Sequence, residues 1–179
     1  MSASISPDPA VSTAMRIVVL ASGRGSNLAA LLAAQAAGQV PVSICAVISD
    51  KSDAGALAIA RDAGIAVRVL NPAEFSDRAR FDHALFTAAA EFAPDLIVCA
   101  GFMRVLGAAA LAPWLGRIIN IHPSLLPKYP GLHTHRRALK AGDRQQGASV
   151  HFVSAEVDGG PLIAQVAIDI HTGDTAAQL

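Results

Sequence analysis

The sequence predicts an α/β fold, in which a Rossmann-like, mostly parallel sheet carries helices on both faces and antiparallel strands near its C-terminal edge. Short β-branched segments alternate with amphipathic ones between residues 16 and 121. These β-branched segments are almost continuously apolar, as is typical of parallel strands covered on both faces. After residue 135 the alternation gives way to two neighbouring apolar segments, which indicate antiparallel strands at the sheet edge.

The individual elements follow from apolar periodicity and from helix end signals. We expect parallel strands at 16–21, 42–49, 66–70, 95–100 and 117–121. Between them we expect helices at 26–37, 54–63, 77–92 and 107–115, the third with Ser76 as its N-cap. A helix at 134–141 then precedes strands at 147–153 and 161–170. Residues 174–179 resemble the first turn of a further helix with Asp174 as its cap.

The length and composition predict one domain. Residues 1–14 are interpreted as a disordered leader, and residues 15–179 as a single catalytic domain that is truncated at its C-terminus. Fourteen basic residues balance fourteen acidic ones, so no net field attracts nucleic acid or an anionic membrane. No apolar run approaches the ~18–20 residues that span a bilayer. Cys45 and Cys99 lie in apolar runs and are interpreted as buried thiols in a reducing, cytoplasmic compartment.

A glycine-rich turn, Ser22–Leu28, directly follows the first predicted strand. Glycines let the backbone turn tightly and present N–H groups at a helix N-terminus, where an anion is favoured. The turn departs from the dinucleotide-binding pattern because Leu28 stands where that pattern requires a third glycine. Ser26 and Asn27 add donors that suit a terminal phosphate. A simple strand-to-helix turn with Ser26 as N-cap is the alternative.

Asn120 and His122 lie at the end of the fifth predicted strand. Because side chains alternate along a strand, both point to the same face, at the carboxyl end where ligands collect in parallel sheets. An Asn amide can donate to a developing oxyanion, and a His can move a proton near neutral pH. The pair is therefore a candidate catalytic site, with a hydrogen-bonded structural histidine as the alternative.

Asp158 lies in a loop in which Gly159 and Gly160 allow close approach to other backbone. A carboxylate beside His122 would stabilise the imidazolium form of the ring. The alternative interpretation of Asp158 is an ordinary Asp-Gly turn.

Four histidines in the C-terminal half suggest a metal site, namely His122, His133, His135 and His151. No carboxylate or cysteine near them follows a zinc-like spacing, so we expect no metal. We interpret these histidines as hydrogen-bonding and loop-packing groups.

Five segments carry a resemblance to a known family. They are VVLASGRGSNL (18–28), AGFMRVL (100–106), NIHPSLLPKYPGLHTH (120–135), GASVHFV (147–153) and VDGGP (157–161). Together they resemble the phosphoribosylglycinamide (glycinamide ribonucleotide) formyltransferase family, over residues 16–179. The resemblance implies the formyltransferase fold. It also implies transfer of a formyl group from 10-formyltetrahydrofolate to the amine of 5'-phosphoribosylglycinamide in de novo purine biosynthesis.

The resemblance also implies roles for individual residues. Asn120, His122 and Asp158 match the catalytic trio, and Gly25, Ser26 and Asn27 match the contacts to the phosphate and ribose. The positions that match folate contacts are Arg78, Met103, Arg104, Val105, Leu106, Asn120, Ser154, Ala155, Glu156, Val157 and Asp158. The implied reaction is direct attack of the amine through a tetrahedral intermediate, without a metal. We expect small-molecule partners only, and a monomer or weak homodimer.

Other functions remain open on the sequence. Formyltetrahydrofolate hydrolase and methionyl-tRNA formyltransferase would share the Asn-x-His…Asp core, although this neutral chain shows no basic domain for tRNA. A nicotinamide-dependent oxidoreductase is disfavoured by Leu28. Chains of the resembled family continue beyond residue 179 through a helix that contacts the acceptor. A catalytically crippled ligand-binding fragment is therefore a further alternative.

Overall fold

A seven-stranded sheet forms the centre of the molecule. The computed structural model describes residues 14–179, so residues 1–13 of the expected leader lie outside the described residues. The strands are β1 (Met15–Leu20), β2 (Val42–Ser49), β3 (Ala66–Val69), β4 (Leu96–Cys99), β5 (Ile118–His122), β6 (Gln145–Phe152) and β7 (Leu162–Asp169). Their order is β3-β2-β1-β4-β5-β6-β7. Strands β1 to β5 pair in parallel, while β6 and β7 pair antiparallel, which confirms the predicted mixed sheet.

Helices cover both faces of the sheet, as predicted. They are α1 (Ser26–Ala36), α2 (Gly55–Asp62), α3 (Arg78–Ala90), α4 (Ala108–Leu111) and α5 (Thr134–Ala141). Leu28 of α1 packs with Ile17 and Val19 on one face of β1. Phe81 of α3 packs in the second core cluster with Val18 and Leu20, which point to the other face. The continuous apolar character of β1 therefore follows from burial on both sides.

Several helix ends differ from the predictions. Asp77, and not Ser76, caps α3, because its Oδ1 accepts the Arg80 N–H at 2.8 Å. The Ser76 hydroxyl instead donates to the Asp77 carboxylate. The helix expected at 107–115 is α4 followed by a 3-10 turn, Ala112–Trp114, in which Pro113 supplies no N–H to continue the α-helical ladder.

The loops after β1 and β4 meet where the strand order reverses. Ser22 N–H donates to Gly101 O at 3.0 Å, and Met103 N–H donates to the Ser22 hydroxyl at 2.9 Å. This is the edge of a parallel sheet where ligand sites form. The glycine-rich turn and the segment 101–106 are thereby fixed to each other.

The C-terminal end of the chain lies on the antiparallel side of the sheet. Every residue of β7 is exposed, including Leu162, Val166 and Ile168. Within residues 174–179 the chain makes a single turn, in which the Gln178 and Leu179 N–H groups donate to Thr175 O at 3.0 and 3.3 Å, as expected for the first turn of a helix. Asp174 is not the cap of this turn. The Asp174 carboxylate accepts the N–H of His171 at 2.7 Å, and thus closes the preceding turn instead of capping a following helix. Among residues 14–179, no helix is both long and apolar enough to cross a membrane.

The two cysteines are free and differ in burial. Cys99 is buried in β4, as predicted, whereas Cys45 in β2 is half-buried and not fully covered. Burial raises the pKa of the Cys99 thiol to about 12, because the thiolate would lose its hydration.

Candidate active site

A cavity of about 550 Å³ opens at the carboxyl ends of β4 and β5. Its walls come from four main segments far apart in sequence: the loop after β4, the end of β5, residues 131–136 at the start of α5, and the end of β6 with the loop that follows it. The sequence-predicted residues in these walls are Met103, Arg104, Val105, Leu106, Asn120, His122, Ser154, Ala155, Glu156, Val157 and Asp158. The structure thus brings all three candidate catalytic side chains into one cavity with most of the candidate folate positions.

Four of the candidate residues do not line this cavity. Gly25, Ser26 and Asn27 lie at the start of α1, on the far side of the β1–β4 junction. Arg78 begins α3 and is exposed, with its guanidinium close to Gly107, the residue after Leu106. These four residues therefore do not form the walls of this cavity.

His122 is held in one orientation by two acceptors. The residue is 5% exposed at the end of β5. Its Nε2 lies 2.9 Å from the carbonyl oxygen of Tyr129, and its Nδ1 lies 3.3 Å from Oδ2 of Asp158. A carbonyl and a carboxylate both accept hydrogen bonds, so the ring satisfies both contacts when it carries two protons. The Nδ1–H is then directed at the Asp158 carboxylate, which also lines the cavity.

Asp158 connects the site residues to one another. Its Oδ2 accepts the Gly131 N–H at 2.7 Å besides facing His122. Its Oδ1 lies 3.5 Å from Asn120 Nδ2. The backbone at Asp158 is left-handed, with φ of 53°, a conformation that Asp tolerates better than most residues. Gly160 is needed in this loop because a Cβ there would overlap the Phe152 carbonyl oxygen.

The loop from Pro123 to Gly131 is fixed by buried hydroxyl groups. Ser149 Oγ on β6 donates to Ser124 O at 2.6 Å and accepts the Leu126 N–H at 3.0 Å. Gln165 of β7 donates to the same hydroxyl and to Leu126 O. This scaffold aims the Tyr129 carbonyl at His122.

His151, which the sequence predicts only as a hydrogen-bonding and loop-packing group, lies among the candidate site residues. It is 2% exposed, lies in the cavity wall, and pairs directly across from Asn120 in the β5–β6 ladder. Its Nε2 lies 3.2 Å from Asn120 Nδ2 and 3.6 Å from Asp158 Oδ1. The signal for this contact is the strand register. A sequence does not show that register before the pairing of the strands is known.

The glycine-rich turn has the geometry of an open helix N-terminus. Gly25, not Ser26, occupies the N-cap position of α1, and it provides no side-chain cap. Its φ is 86°, and a Cβ there would lie 2.7 Å from Cα of Ala56, so the position requires glycine. No acidic residue lies in the first turn of α1, and Ser26 and Asn27 are exposed. Free N–H groups at such a terminus favour an anion.

Large apolar side chains are exposed at the mouth of the cavity. Met103, Val105, Leu132 and Val157 all line it and are 50–68% exposed. Side chains of this kind, clustered around one concavity, are typical of a binding site for a largely apolar ligand.

His135 also lines the cavity, and burial lowers its pKa. Its Nδ1 lies 3.0 Å from the Gln146 amide nitrogen, which donates to it. The neutral ring therefore carries its proton on Nε2. Within residues 14–179, no three His, Cys, Asp or Glu side chains are grouped in a way that could hold a metal ion.

Several known proteins are similar to this chain in sequence. Residues 15–179 match the formyl transferase family. The phosphoribosylglycinamide formyltransferase of Escherichia coli (strain K12) is 50% identical over 161 residues, which are 90% of this chain and 76% of that protein. The trifunctional purine biosynthetic protein adenosine-3 of Homo sapiens is 42% identical over 164 residues, 92% of this chain and 16% of that protein.

Solved structures give the same result. The crystal structure of glycinamide ribonucleotide transformylase 1 from Symbiobacterium toebii has a TM-score of 0.89 at 43% identity, over 92% of this chain and 77% of that chain. The phosphoribosylglycinamide formyltransferase from Coxiella burnetii has a TM-score of 0.86 at 47% identity, over 91% of this chain and 76% of that chain. The chain therefore belongs to the formyl transferase family, among the phosphoribosylglycinamide formyltransferases.

Proposed function

We propose that the cavity binds 10-formyltetrahydrofolate and passes its formyl group directly to the amine of 5'-phosphoribosylglycinamide. Family membership makes the chain an enzyme of formyl transfer in purine biosynthesis. The observation that carries the proposed mechanism is the convergence of Asn120, His122 and Asp158 in one cavity. Two donors and one carboxylate at a single point match the needs of acyl transfer to an amine.

The donors act on the formyl oxygen. As the amine nitrogen bonds to the formyl carbon, the carbon–oxygen double bond opens and negative charge develops on oxygen. The Nδ1–H of His122 and one N–H of the Asn120 amide, which also face the Asp158 oxygens across long contacts of 3.3 and 3.5 Å, reach that position and stabilise the charge. The Tyr129 carbonyl keeps the ring of His122 in place throughout, because it holds Nε2–H at 2.9 Å. Donors held beside the reacting carbon by the fold lower the barrier because they stabilise the developing charge.

Asp158 acts as the group that accepts and donates the transferred proton. The attacking amine becomes positively charged and must lose one proton, while the folate nitrogen must gain one as its bond to the formyl carbon breaks. The Asp158 carboxylate accepts the first proton and helps to supply the second, so protons balance without a metal. While ionised, it also faces the Nδ1 atom of His122 across the 3.3 Å contact.

The two substrates occupy different parts of the site. The exposed apolar side chains at the cavity mouth, Met103, Val105 and Val157, fit the ring system of the folate donor. The phosphate of the acceptor binds at the N-terminus of α1, where Gly25 and the donors Ser26 and Asn27 form an uncapped turn. The Ser22 contacts with Gly101 and Met103 hold these two regions together.

The test is formyl transfer from a 10-formylfolate analogue to glycinamide ribonucleotide. We expect transfer by the unchanged chain and a fall in kcat of about 10²–10³-fold in His122→Ala, since a principal oxyanion donor is lost. His83→Ala is the matched control, because His83 is exposed on α3. Equal rates in both variants would contradict the role of His122.

Two further readouts separate the alternatives. Release of formate without any acceptor would indicate a hydrolase. A folate titration distinguishes a binding module from an enzyme, because folate binding without transfer indicates a chain that has lost its acceptor site. A folded chain that neither binds folate nor transfers formyl would contradict the proposal.

A further inference from the structure

His151 makes two short contacts through its ring nitrogens, and the mechanism above assigns it no role. Its Nδ1 lies 2.9 Å from the carbonyl oxygen of Phe152, and its Nε2 lies 3.2 Å from Asn120 Nδ2. The residue is 2% exposed. A buried ring with both nitrogens engaged is held in a single orientation, so these contacts are a fixed part of the site.

The chemistry of the partners assigns the tautomer. A carbonyl oxygen only accepts, so Nδ1 of His151 carries a hydrogen and donates it to Phe152. In the neutral ring, Nε2 then holds a lone pair and accepts. The amide nitrogen of Asn120 only donates, so it completes this contact. The neutral form of His151 thus satisfies both of its partners.

We propose that His151 is a positioning residue that determines which end of the Asn120 amide faces the reacting carbon. One hydrogen of the amide is held by His151. The other points toward Asp158 Oδ1 at 3.5 Å, a distance too long for a strong hydrogen bond. That second hydrogen is therefore free to move to the formyl oxygen. This inference rests on the proposed role of Asn120 as an oxyanion donor.

The reversed amide would be unfavourable for a physical reason. If Asn120 turned over, its oxygen would face the lone pair of His151 and the carboxylate of Asp158, and no N–H would face the substrate. The strand register fixes this relation, because Asn120 and His151 are direct partners in the β5–β6 ladder. The acceptor that orients Asn120 is consequently built into the sheet and does not depend on a mobile loop.

The first experiment compares His151→Leu with His151→Gln in the formyl-transfer assay. Leu fills the space of the ring but cannot accept a hydrogen bond, so Asn120 loses its orienting partner. We expect kcat to fall about 10–100-fold with little change in KM. Gln extends an amide oxygen to the position of Nε2, and we expect it to retain most of the activity. His83→Gln on α3 is the control. Equal losses in the Leu and Gln variants would overturn the proposal.

The second experiment asks whether His151 acts through Asn120. In an Asn120→Ala background, His151→Leu should lower kcat by no more than about twofold, because the group that it orients is already absent. Independent losses that multiply would overturn the proposal. Thermal melts of all four proteins, the unchanged chain included, separate this coupling from a loss of folding.

A measurement on the unchanged chain does not depend on turnover. In ¹⁵N-labelled protein, a scalar coupling across the N–H···N contact between Asn120 Nδ2 and His151 Nε2 is expected at neutral pH. If both nitrogens of the His151 ring carry hydrogens, the ring is instead a charged partner of Asp158 Oδ1, 3.6 Å from Nε2. That result would overturn the proposal. If the chain transfers no formyl at all, the proposed function fails, and this coupling still decides the orientation of Asn120.

Discussion

The Asp158 carboxylate contacts groups from three separate segments. Oδ2 accepts the Gly131 N–H at 2.7 Å and faces His122 at 3.3 Å, while Oδ1 faces Asn120 and His151 at 3.5 and 3.6 Å. The first contact closes the loop that follows β5, and in the proposed mechanism the others set the charge at the reacting position. In that proposal one side chain contributes to both the shape and the chemistry of the site.

Replacing Asp158 by Asn separates these two contributions. The amide keeps the size of the side chain and an oxygen for the Gly131 N–H, but it removes the negative charge and the proton acceptor. We expect kcat to fall about 10²–10⁴-fold, as for loss of a general acid–base group, while the melting temperature changes little. Asp53→Asn, at an exposed turn after β2, is the control. Near-normal turnover of Asp158→Asn would show that the carboxylate has a structural role only.

Cys99 makes a pH-dependent contribution to stability. Burial raises the pKa of this thiol from 9.0 to about 12. Above pH 9.0 the unfolded chain ionises Cys99 while the folded protein keeps it neutral. The contribution is therefore fully present below pH 9.0 and is lost as the pH rises toward about 12, by at most about 1.4 kcal/mol per pH unit.

The corresponding measurement is the melting temperature between pH 8 and 11. In Cys99→Ala it should decline less steeply with pH than in the unchanged chain, whatever the two absolute values are. Cys45→Ala, which removes a half-buried thiol, should keep the steep decline. Parallel curves for Cys99→Ala and the unchanged chain would show that the Cys99 thiol does not carry the effect.

At the scale of elements, the start of α1 depends on one glycine. A methyl group at Gly25 would meet Ala56 Cα at 2.7 Å and Ile59 Cδ1 at 2.9 Å, and φ there is 86°. Gly25→Ala should therefore cost about 2–4 kcal/mol in the free energy of unfolding, from left-handed strain and overpacking together. Gly23→Ala is the matched control in the same turn, because nothing lies within 4 Å of its added Cβ. Denaturant unfolding of both variants measures the difference, and equal costs would contradict it.

The loop after β5 depends on the Ser149 hydroxyl, which is fully buried and bonds to Ser124, Leu126 and Gln165. Ser149→Ala leaves the Leu126 N–H buried without its acceptor. We expect a loss of about 1–3 kcal/mol in the free energy of unfolding, with reduced kcat because the Tyr129 carbonyl is less well placed. The control is Ser52→Ala, at an exposed position. A stable variant with lowered kcat would locate the effect in the loop alone, whereas unchanged stability and kcat would contradict this role of Ser149.

The sequence predicts best those elements whose structure follows from the pattern of residues within the element itself. Burial of β1 on both faces produces its apolar run, and alternation along β5 places Asn120 and His122 on one face. Helix ends are less predictable, because Ser76 and Asp77 are both good caps and the final choice depends on backbone geometry. Asp174 is also a good cap residue, but its carboxylate accepts the His171 N–H in the preceding turn.

The site is predictable in part for the same reason. Candidate chemistry at Asn120, His122 and Asp158 follows from residue type and position in the chain. The contact between His151 and Asn120 depends on the antiparallel register of β5 and β6, which is a property of the folded sheet. The Tyr129 carbonyl is even less accessible to prediction, because any residue type provides one. Only its φ of 58° and its loop direct it to His122.

The whole molecule brings these parts together through its sheet order. Because β1, β4 and β5 are parallel neighbours, their carboxyl ends and following loops meet at one edge. The antiparallel return through β6 then places the loop 154–160 against that same edge. The cavity is consequently formed by segments that are far apart in sequence and that the pairing of β1, β4, β5 and β6 brings together.

The surface of the whole molecule predicts its solution behaviour. The formal net charge is zero at pH 7, and β7 exposes Leu162, Val166 and Ile168 at 45–65%. Without net charge, apolar contacts between molecules are not opposed by repulsion, so solubility should be lowest near pH 7 and rise on either side.

Two variants that add the same charge separate the contributions of charge and apolar surface. Val166→Lys places a lysine on β7, and Gln39→Lys places one at an exposed turn after α1. If the exposed strand contributes, Val166→Lys should raise solubility at pH 7 more than Gln39→Lys, because it also removes apolar surface from an edge strand. Precipitation by polyethylene glycol at matched concentrations measures both. Equal gains would mean that net charge alone sets the solubility, and a minimum far from pH 7 would contradict the charge argument itself.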